Sequence, residues 1–445
     1  MMRMRSKWKK SAMVALAVAG LMGSGVGQAL AAEQYMGLPS YRVGAYAAGG
    51  SGVYGGWIDY MQMINERDGG VNGVKLVWEE CETEYNNARG VECYERFKAK
   101  GNPFFSPLST GITYSVLDRV AQDKIPLVTI GYGRSDAADG RVFPWVFPLV
   151  THYWSQASAM INFIGKEKLG SMDQLKGKKI VLLYHDSAYG KEPHEVLKRL
   201  SQKWGFELEL IPVAHPGNEQ QSQWLQIRQI RPDFVILWGW GVMNPTALST
   251  AKRTGFPIDK IIGVWWAGAE EDVIPAGNAS TGYIAAGFNA VGDQYPVIQD
   301  IKKYVYAKGK GNLDPKRVGS VYYNRGVVHG IIYVEAVRLA QEHFNKKGRP
   351  VTGEEIRWAL EHLNFTPERL KQLGADGFLP VMQTSCMDHE GAGMVKFQQW
   401  DGSKWKMISD WIVPDRVLVR QLVEESAAKY AQEKGITPRD CSKEG

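Results

Sequence analysis

Short apolar runs alternate with segments of helical periodicity through most of the chain. In the first third the runs "YRVGAY", "VKLVW", "NPFFS" and "IPLVTI" predict strands, separated by helices near residues 54–67, 86–100 and 111–123. The pattern restarts with "KKIVLLY", "FELELIPV", "DFVILW" and "KIIGVWW", with helices near 190–204, 219–230 and 244–254. Strand–helix alternation at this spacing predicts an α/β fold with parallel sheets and helices on both faces. The restart predicts two such blocks.

The remaining segments connect or extend these blocks. "FPLVTHYW", near residue 150, lies between them and is a candidate crossover. "VYYNRGVVHGIIYVEAVRLAQEHF" has the clearest helical spacing later in the chain. Apolar runs flank Asp401-Gly402, which predicts a β-hairpin. We expect the tail, 415–445, to be helical, polar and tied down by Cys441.

The first 31 residues have the features of a secretory signal peptide. Five basic residues in "MMRMRSKWKK" precede a short apolar run, and "QALAA" supplies an A-x-A pattern, which predicts cleavage near Ala31. The apolar run is shorter than the ~20 residues that span a bilayer. We therefore expect export to the periplasm. The leader also accounts for most of the net charge of +6, so the basic balance gives no reason to expect a nucleic-acid partner.

The cysteine count favours disulfides. An exported chain with four cysteines allows three connectivities. We predict Cys81–Cys93 and Cys386–Cys441, because each of these pairs closes a loop within one region. No C-x-x-C occurs and no histidine sits at ligand spacing beside a cysteine, so a metal site at these thiols is not expected.

A glycine-rich stretch opens the first helical segment. Gly50–Gly55, "GSGVYG", matches G-x-G-x-x-G, and Glu79 and Glu80 follow about where a ribose-binding acid would stand. An exported NAD-binding oxidoreductase is therefore one hypothesis. The motif alone is a weak signal, because glycines near a helix N-terminus suit any anion, and the exported compartment is not stocked with NAD. We predict no cofactor.

Candidate ligand contacts follow the predicted strands, because open parallel sheets bind ligands at the carboxyl ends of their strands. Tyr46 precedes the glycine-rich stretch. Ser106, Ser109 and Thr110 precede a helix, so one of them is expected to cap it while the others hold a carboxylate.

Two further loops carry candidates. Gly131 and Tyr132 form an open turn after "IPLVTI", and Tyr189 opens a helix of the second block where it can face a crevice. His185, Asp186 and Ser187 adjoin it, but no G-x-S-x-G surrounds the serine, so a hydrolase triad is not indicated.

The second block also supplies aromatic and acidic candidates. Trp238 and Trp240 follow one strand, and Glu270 follows the next. An aromatic wall with one carboxylate would suit a ligand with a flat body and a cationic group. The alternatives are core packing for the tryptophans and a solvated helix start for the acid.

Taken in order, these motifs resemble the periplasmic type I solute-binding proteins of branched-chain amino acid ABC importers, the leucine/isoleucine/valine-binding class. The stretches that carry the likeness are "GGWIDYMQMINERDGGVNGVKLVW", "SPLSTG", "DSAYGKEPHEVLKRL" and "YYNRGVVHGIIYVEAVRLA". They lie within residues 41–411, most of the chain that follows the leader.

The resemblance implies two Rossmann-like lobes joined by crossover hinge strands, with the ligand enclosed between them. Lobe 1 would comprise 36–150 and 281–365, and lobe 2 would comprise 151–280 and 366–445. It also implies that the protein is not an enzyme and that it delivers a small molecule to a membrane ABC permease. We expect a monomer. A ligand-sensing receptor on the same fold is the alternative.

The resemblance also assigns roles to individual residues. Ser109 or Thr110, with the backbone after strand one, would bind a ligand carboxylate. Tyr189 would cover the ligand, Glu270 would receive its ammonium group and Tyr323 would close the pocket.

One departure from the family pattern bears on the ligand. The family has an Ala-Thr run after the third strand where this chain has "IGYGRSD", and Gly133 stands where the head-group threonine would be. Tyr132 and four tryptophans crowd the site. We expect an aromatic acid, an amide or another planar solute to fit at least as well as an aliphatic amino acid.

Overall fold

The computed structural model describes residues 32–443. The N-terminal leader and its expected cleavage site lie outside this range. Thirteen strands occur within it: β1 Glu33–Leu38, β2 Lys75–Glu80, β3 Leu127–Val128, β4 Val146–Phe147, β5 Lys179–His185, β6 Glu207–Val213, β7 Phe234–Trp238, β8 Ile261–Gly263, β9 Ile284–Gly287, β10 Asn364–Phe365, β11 Met382–Gln383, β12 Lys396–Trp400 and β13 Trp405–Met407.

Fourteen α-helices occur in the same range. They are α1 Ala47–Asp68, α2 Asn87–Lys98, α3 Thr110–Asp123, α4 Tyr153–Phe163, α5 Ala188–Lys191, α6 His194–Trp204, α7 Gln221–Ile230, α8 Met243–Thr254, α9 Glu270–Val273, α10 Pro296–Tyr304, α11 Val321–His343, α12 Gly353–Leu360, α13 Pro367–Gln372 and α14 Arg416–Lys434. None of the helices within 32–443 combines the length and apolar character needed to cross a membrane.

The first sheet region is built from short parallel pairs. β1 pairs with β2 and β3 pairs with β4, and a parallel bridge joins Phe105 to Leu127. The prediction of a first strand at "YRVGAY" is wrong, because the strand that pairs with β2 is "EQYMGL", Glu33–Leu38, and 41–46 forms the connection into α1. We use lobe 1 for β1–β4 and the helices packed on them.

The second sheet has seven strands in the order β13-β12-β9-β8-β7-β5-β6. Strands β5 to β9 pair in parallel, and β12 and β13 add an antiparallel edge. β12 and β13 form the hairpin predicted at Asp401-Gly402. β7 is buried along its whole length, as expected for a parallel strand covered on both faces. We use lobe 2 for this sheet and its helices.

The sheet extends beyond the segment expected for lobe 2. The sequence placed the boundary at residue 280, whereas β9, at Ile284–Gly287, pairs with β8 and β12. It does so because β9 is a buried apolar run that completes the parallel core of this sheet.

The glycine-rich motif lies inside a helix. Gly50–Gly55 falls within α1, and a Cβ at Gly50 or Gly52 would collide with Tyr41 or Tyr322 respectively. These glycines therefore allow close packing and do not form a phosphate-binding loop. The NAD hypothesis loses the structural feature that suggested it.

Helices α1 and α11 approach each other through glycines on both sides. A Cβ at Gly56 would lie 2.0 Å from the Tyr323 carbonyl oxygen, and one at Gly326 would lie 1.9 Å from the Val53 carbonyl oxygen. Only a residue without a side chain permits backbones this close. The α11 segment, recognised by its spacing, is thereby fixed on lobe 1.

The chain passes from lobe 1 to lobe 2 at the segment "FPLVTHYW", where a crossover was predicted. A parallel bridge joins Val150 to Gly391, and the Gly393 N–H donates to the Val150 carbonyl. α4 then begins at Tyr153, so the chain enters lobe 2 directly after this contact.

The C-terminal helix α14 packs on lobe 1. Tyr430 stacks on Phe143, and Lys434 forms an ion pair with Asp118. The sequence had placed the whole of 366–445 in lobe 2. Apolar contacts of Ala427 and Ala431 with the lobe 1 core draw the helix there.

Both predicted disulfides are present. Cys81 is joined to Cys93 and Cys386 to Cys441. The second bridge ties the chain beyond α14 to the segment preceding the crossover at Gly391. The expectation that Cys441 anchors the tail is confirmed.

Candidate functional site

A partly open cavity of about 10 Å³, room for about one water molecule, lies between the two lobes. Six aromatic side chains form most of its wall, with one leucine and two hydroxyl residues completing it. The lining residues are Tyr85, Leu108, Ser109, Thr110, Tyr132, Tyr153, Tyr189, Trp240 and Trp266. The sequence-predicted residues that meet here are Ser109, Thr110, Tyr132, Tyr189 and Trp240.

The polar end of the cavity is the N-terminus of α3. Ser109 caps the helix by accepting a hydrogen bond from the Ile112 N–H at 3.3 Å, and Ser109 and Thr110 are both buried. The first N–H groups of a helix have no partner within it, and together with the helix dipole they favour an anion. This end can therefore receive a carboxylate or a carbonyl oxygen.

Leu108 shapes this end through its backbone. It has φ of 47°, a left-handed conformation that is uncommon for leucine, and its N–H donates to the Tyr132 hydroxyl at 2.8 Å. The strained turn presents Ser109 to the cavity.

Ser106 and Gly131 support the wall from behind. The Ser106 hydroxyl lies 3.0 Å from the Tyr132 hydroxyl, which fixes that ring. The Gly131 carbonyl accepts hydrogen bonds from the indole N–H groups of Trp265 and Trp266, at 2.7 and 2.9 Å. Neither predicted residue lines the cavity, and Gly131 instead ties lobe 1 to lobe 2.

Lobe 2 supplies a wall of aromatic rings in tilted and edge-to-face contact. Tyr189 donates its hydroxyl proton to the Gly239 carbonyl at 2.9 Å. Trp238 is fully buried behind this wall, 5.4 Å from the Tyr153 ring and 6.4 Å from the Tyr189 ring. It packs in the core, the alternative that the sequence left open.

Trp240 lines the cavity and carries an unpaired donor. Its indole N–H is buried without a hydrogen-bond partner in the described structure. A buried donor left unpaired costs about 1–3 kcal/mol, so an acceptor on a bound molecule would gain from it.

Tyr46 lies one layer outside the cavity. Its ring is nearly parallel to that of Trp240, at a centroid distance of 6.3 Å, and 4.4 Å from the ring of Tyr85. It therefore contacts the lining residues and does not itself line the cavity.

Glu270 and Tyr323 lie apart from the cavity. The Glu270 carboxylate accepts a hydrogen bond from the Val321 N–H at 2.9 Å, and burial raises the pKa of this carboxyl to about 7. The Tyr323 hydroxyl donates to Asp59 at 2.8 Å. Both differ from the roles that the resemblance implied, because each side chain is engaged by a partner at the α11 packing surface.

The cavity lining carries no charged side chain. The nearby Asp272 carboxylate is already used, since it accepts hydrogen bonds from Tyr322, Asn244 and the Ala269 N–H. Burial raises the pKa of Asp272 to about 7. The chemistry of the site is therefore an anion-favouring helix end, neutral donors and aromatic faces.

Four lining residues were not predicted as contacts. Tyr85 follows β2, and Tyr153 follows the crossover. Both lie in loops of the same kind as those in which ligand contacts were expected after other strands. Trp266 had been recognised as crowding the site, and Leu108 had no signal beyond its place beside Ser109.

Comparison with known proteins identifies the family. A protein-family model described as "Periplasmic binding protein" matches residues 33–404, which is most of the chain. The chain belongs to the periplasmic binding protein family. A solute-binding role and an exported, periplasmic protein follow from this membership, and the family's members are binding proteins rather than enzymes.

Solved structures agree with this periplasmic binding protein fold. A protein from the Pseudomonas fluorescens group, described as an ABC transporter permease, is 50% identical, with 92% of this chain and 99% of that chain covered and a TM-score of 0.85. No curated protein matches the chain.

Two more distant structures carry bound molecules. A branched-chain amino acid ABC transporter from Thermus thermophilus with bound valine is 22% identical, covers 88% and 99% of the two chains and has a TM-score of 0.74. A solute-binding protein from R. palustris in complex with benzoate is 18% identical, covers 86% and 97% and has a TM-score of 0.66. At these identities the likeness concerns the fold.

Proposed function

We propose that this protein is the solute-binding component of an ABC importer and that its solute is a small planar acid or amide. The observation that carries the proposal is the aromatic lining that both lobes contribute to the cavity, with the N-terminus of α3 at one end. The lobes must part to widen this cavity before a solute enters. The protein would bind the solute, close around it, deliver it to a membrane permease and release it unchanged. We expect it to act as a monomer.

The aromatic lining favours a planar solute. Flat rings bury large areas and interact with one another through stacked or edge-to-face arrangements. Tyr132, Trp240 and Trp266 all line the cavity, and Trp266 meets each of the other two edge to face. The benzoate-bound protein from R. palustris is an example of an aromatic acid held in this fold.

The polar groups of the cavity favour an acceptor-rich solute. The end of α3 and the free indole N–H of Trp240 are donors. An ammonium group would find no carboxylate among the lining residues, and Glu270 and Asp272 are hydrogen-bonded elsewhere. This argues against a plain α-amino acid, although the Thermus protein holds valine.

A thermal-shift screen of the tag-free mature protein against aromatic acids, amides, ureas and branched-chain amino acids would test the proposal. Planar acids or amides should raise the melting temperature, and calorimetry should then give a 1:1 complex.

Tyr189→Ala and Thr110→Ala should each weaken binding, because the first removes an aromatic wall and the second removes a hydroxyl at the end of α3. Trp358→Ala, on α12 away from the cavity, is the control. Unchanged affinity in both cavity variants would contradict the site, and stabilisation by NAD instead would contradict the function.

A further inference from the structure

Three metal-binding side chains meet at the edge of the cleft, one from lobe 1 and two from lobe 2. The Tyr46 hydroxyl lies 2.9 Å from His185 Nε2 and 2.5 Å from His215 Nδ1. The two imidazole nitrogens are 3.2 Å apart. Tyr46 precedes α1, His185 ends β5 and His215 follows β6.

The orientation of the rings suits coordination of an ion. His185 Nδ1 lies 2.8 Å from the Ser187 hydroxyl, a contact that holds the ring and leaves Nε2 directed at the other two atoms. Zinc–nitrogen bonds of about 2.0–2.1 Å in a tetrahedral site put neighbouring ligand atoms about 3.3 Å apart, close to the separation of the two imidazole nitrogens. Small outward movements of the phenol would complete the arrangement.

The cluster is accessible from one side. Tyr46 and His185 are buried, whereas His215 is exposed, so an ion could enter beside it and keep a water as its fourth ligand. Within residues 32–443 no three His, Cys, Asp or Glu side chains form a metal-binding group. The third ligand here is a phenol.

We propose that Tyr46, His185 and His215 bind one divalent transition-metal ion and that the ion fastens lobe 1 to lobe 2. Imidazole nitrogen with a phenolate oxygen suits zinc, copper or nickel. Binding of Tyr46 as a phenolate releases its proton to solvent.

The ion and the solute would favour each other. Tyr46 contacts Tyr85 and Trp240, which line the cavity, and closure brings Tyr46 to the histidines. A ligand that binds only the closed form shifts the lobes towards it, and the coupling is reciprocal. This coupling, unlike metal binding itself, rests on the proposed function.

Zn²⁺ titration by calorimetry, on tag-free protein treated with a chelator, tests the proposal. The wild type should bind one Zn²⁺. His215→Ala and Tyr46→Phe should each lose affinity at least tenfold, and His343→Ala, which removes an exposed histidine on α11, should not. Circular dichroism would verify that each variant folds.

Small-angle scattering tests whether the ion joins lobe 1 to lobe 2. Zn²⁺ should reduce the radius of gyration of the wild type and leave that of Tyr46→Phe unchanged. Absence of Zn²⁺ binding, or equal binding by Tyr46→Phe, would overturn the proposal, since the second result would place the ion on lobe 2 alone. Solute calorimetry with chelator present tests the proposed function separately.

Discussion

At the scale of single residues, Trp240 links the aromatic and polar features of the cavity. Its ring forms part of the wall and its N–H has no partner in the described residues. Trp240→Phe keeps most of the ring and removes the donor. We expect about a tenfold loss of solute affinity, the value of one hydrogen bond of about 1–1.5 kcal/mol.

Calorimetry with a solute from the screen would measure this loss. Trp358→Phe makes the same chemical change outside the cavity and should leave the affinity as it was. Equal affinity of Trp240→Phe and wild type would mean that the N–H does not contact the solute.

Glu192 predicts a pH dependence of binding. Its carboxylate accepts hydrogen bonds from Tyr114 at 2.5 Å and from Ser135 at 2.7 Å, so it joins lobe 2 to lobe 1. Burial raises the pKa of Glu192 to about 7. A raised pKa means that the closed form holds this proton more tightly than the open form, so closure is most favourable at low pH and weakens as the pH rises through about 7.

We therefore expect solute affinity to fall about threefold between about pH 6.5 and pH 8, and the fall to be smaller in Glu192→Gln. The range avoids lower pH, where protonation of His185 opposes closure because burial lowers the pKa of that imidazole to about 4. Titration calorimetry at several pH values would measure both proteins. Parallel profiles would rule out Glu192 as the cause.

The residue-scale predictions depended on the rule that ligands lie at strand ends. Ser109, Thr110 and Tyr189 were found because each follows a strand and opens a helix. The rule could not separate Trp238 from Trp240, since only the tertiary packing decides which ring faces the cavity. It also could not locate Glu270, whose partner, the Val321 N–H, is 51 residues away.

At the scale of elements, the contact between α1 and α11 gives a sharp test. Gly→Ala within a helix ordinarily stabilises by about 1 kcal/mol. At Gly326 the added Cβ would lie 1.9 Å from the Val53 carbonyl oxygen. We expect Gly326→Ala to destabilise the protein by about 1–3 kcal/mol through overpacking.

Chemical denaturation would measure this change. Gly287→Ala, in strand β9, is the control for adding a methyl group without a clash, because its Cβ would meet no atom closer than 4.0 Å. A stabilised Gly326→Ala variant would show that the helices do not approach through this glycine.

The two disulfides should contribute unequally. They span 55 residues for Cys386–Cys441 and 12 residues for Cys81–Cys93. A longer closed loop restricts the unfolded chain more, so the double alanine variant of the long loop should lose about 1 kcal/mol more than that of the short loop. Urea unfolding of both variants checks the order, and a larger loss from the short loop would contradict it.

The predicted elements were correct where the sequence signal was local, and wrong where strand pairing determined the structure. The helices and the Asp401-Gly402 hairpin were recognisable from spacing and turn residues. The first strand was misplaced because "EQYMGL" and "YRVGAY" are both plausible runs, and only pairing with β2 distinguishes them. The glycine motif was ambiguous because close helix packing and phosphate binding both require glycine.

At the scale of the whole molecule, the lobes are held in a closed arrangement. Trp265 and Trp266 donate to Gly131, and Arg317 pairs with Glu271 at 2.5 Å. A hinge protein gains specificity only if its solute stabilises this arrangement more than the open one. The two-lobed α/β fold was predictable from the repeated alternation, whereas the positions of β9 and α14 depended on contacts far apart in sequence.

A crystal structure of the mature protein with a solute identified by the screen tests the central claim most directly. We predict one intact solute between the lobes in a widened cavity, with its plane against Trp240 or Tyr132 and an oxygen within hydrogen-bond distance of Ser109 or Thr110. A solute bound outside the cleft, or a chemically altered one, would contradict the account.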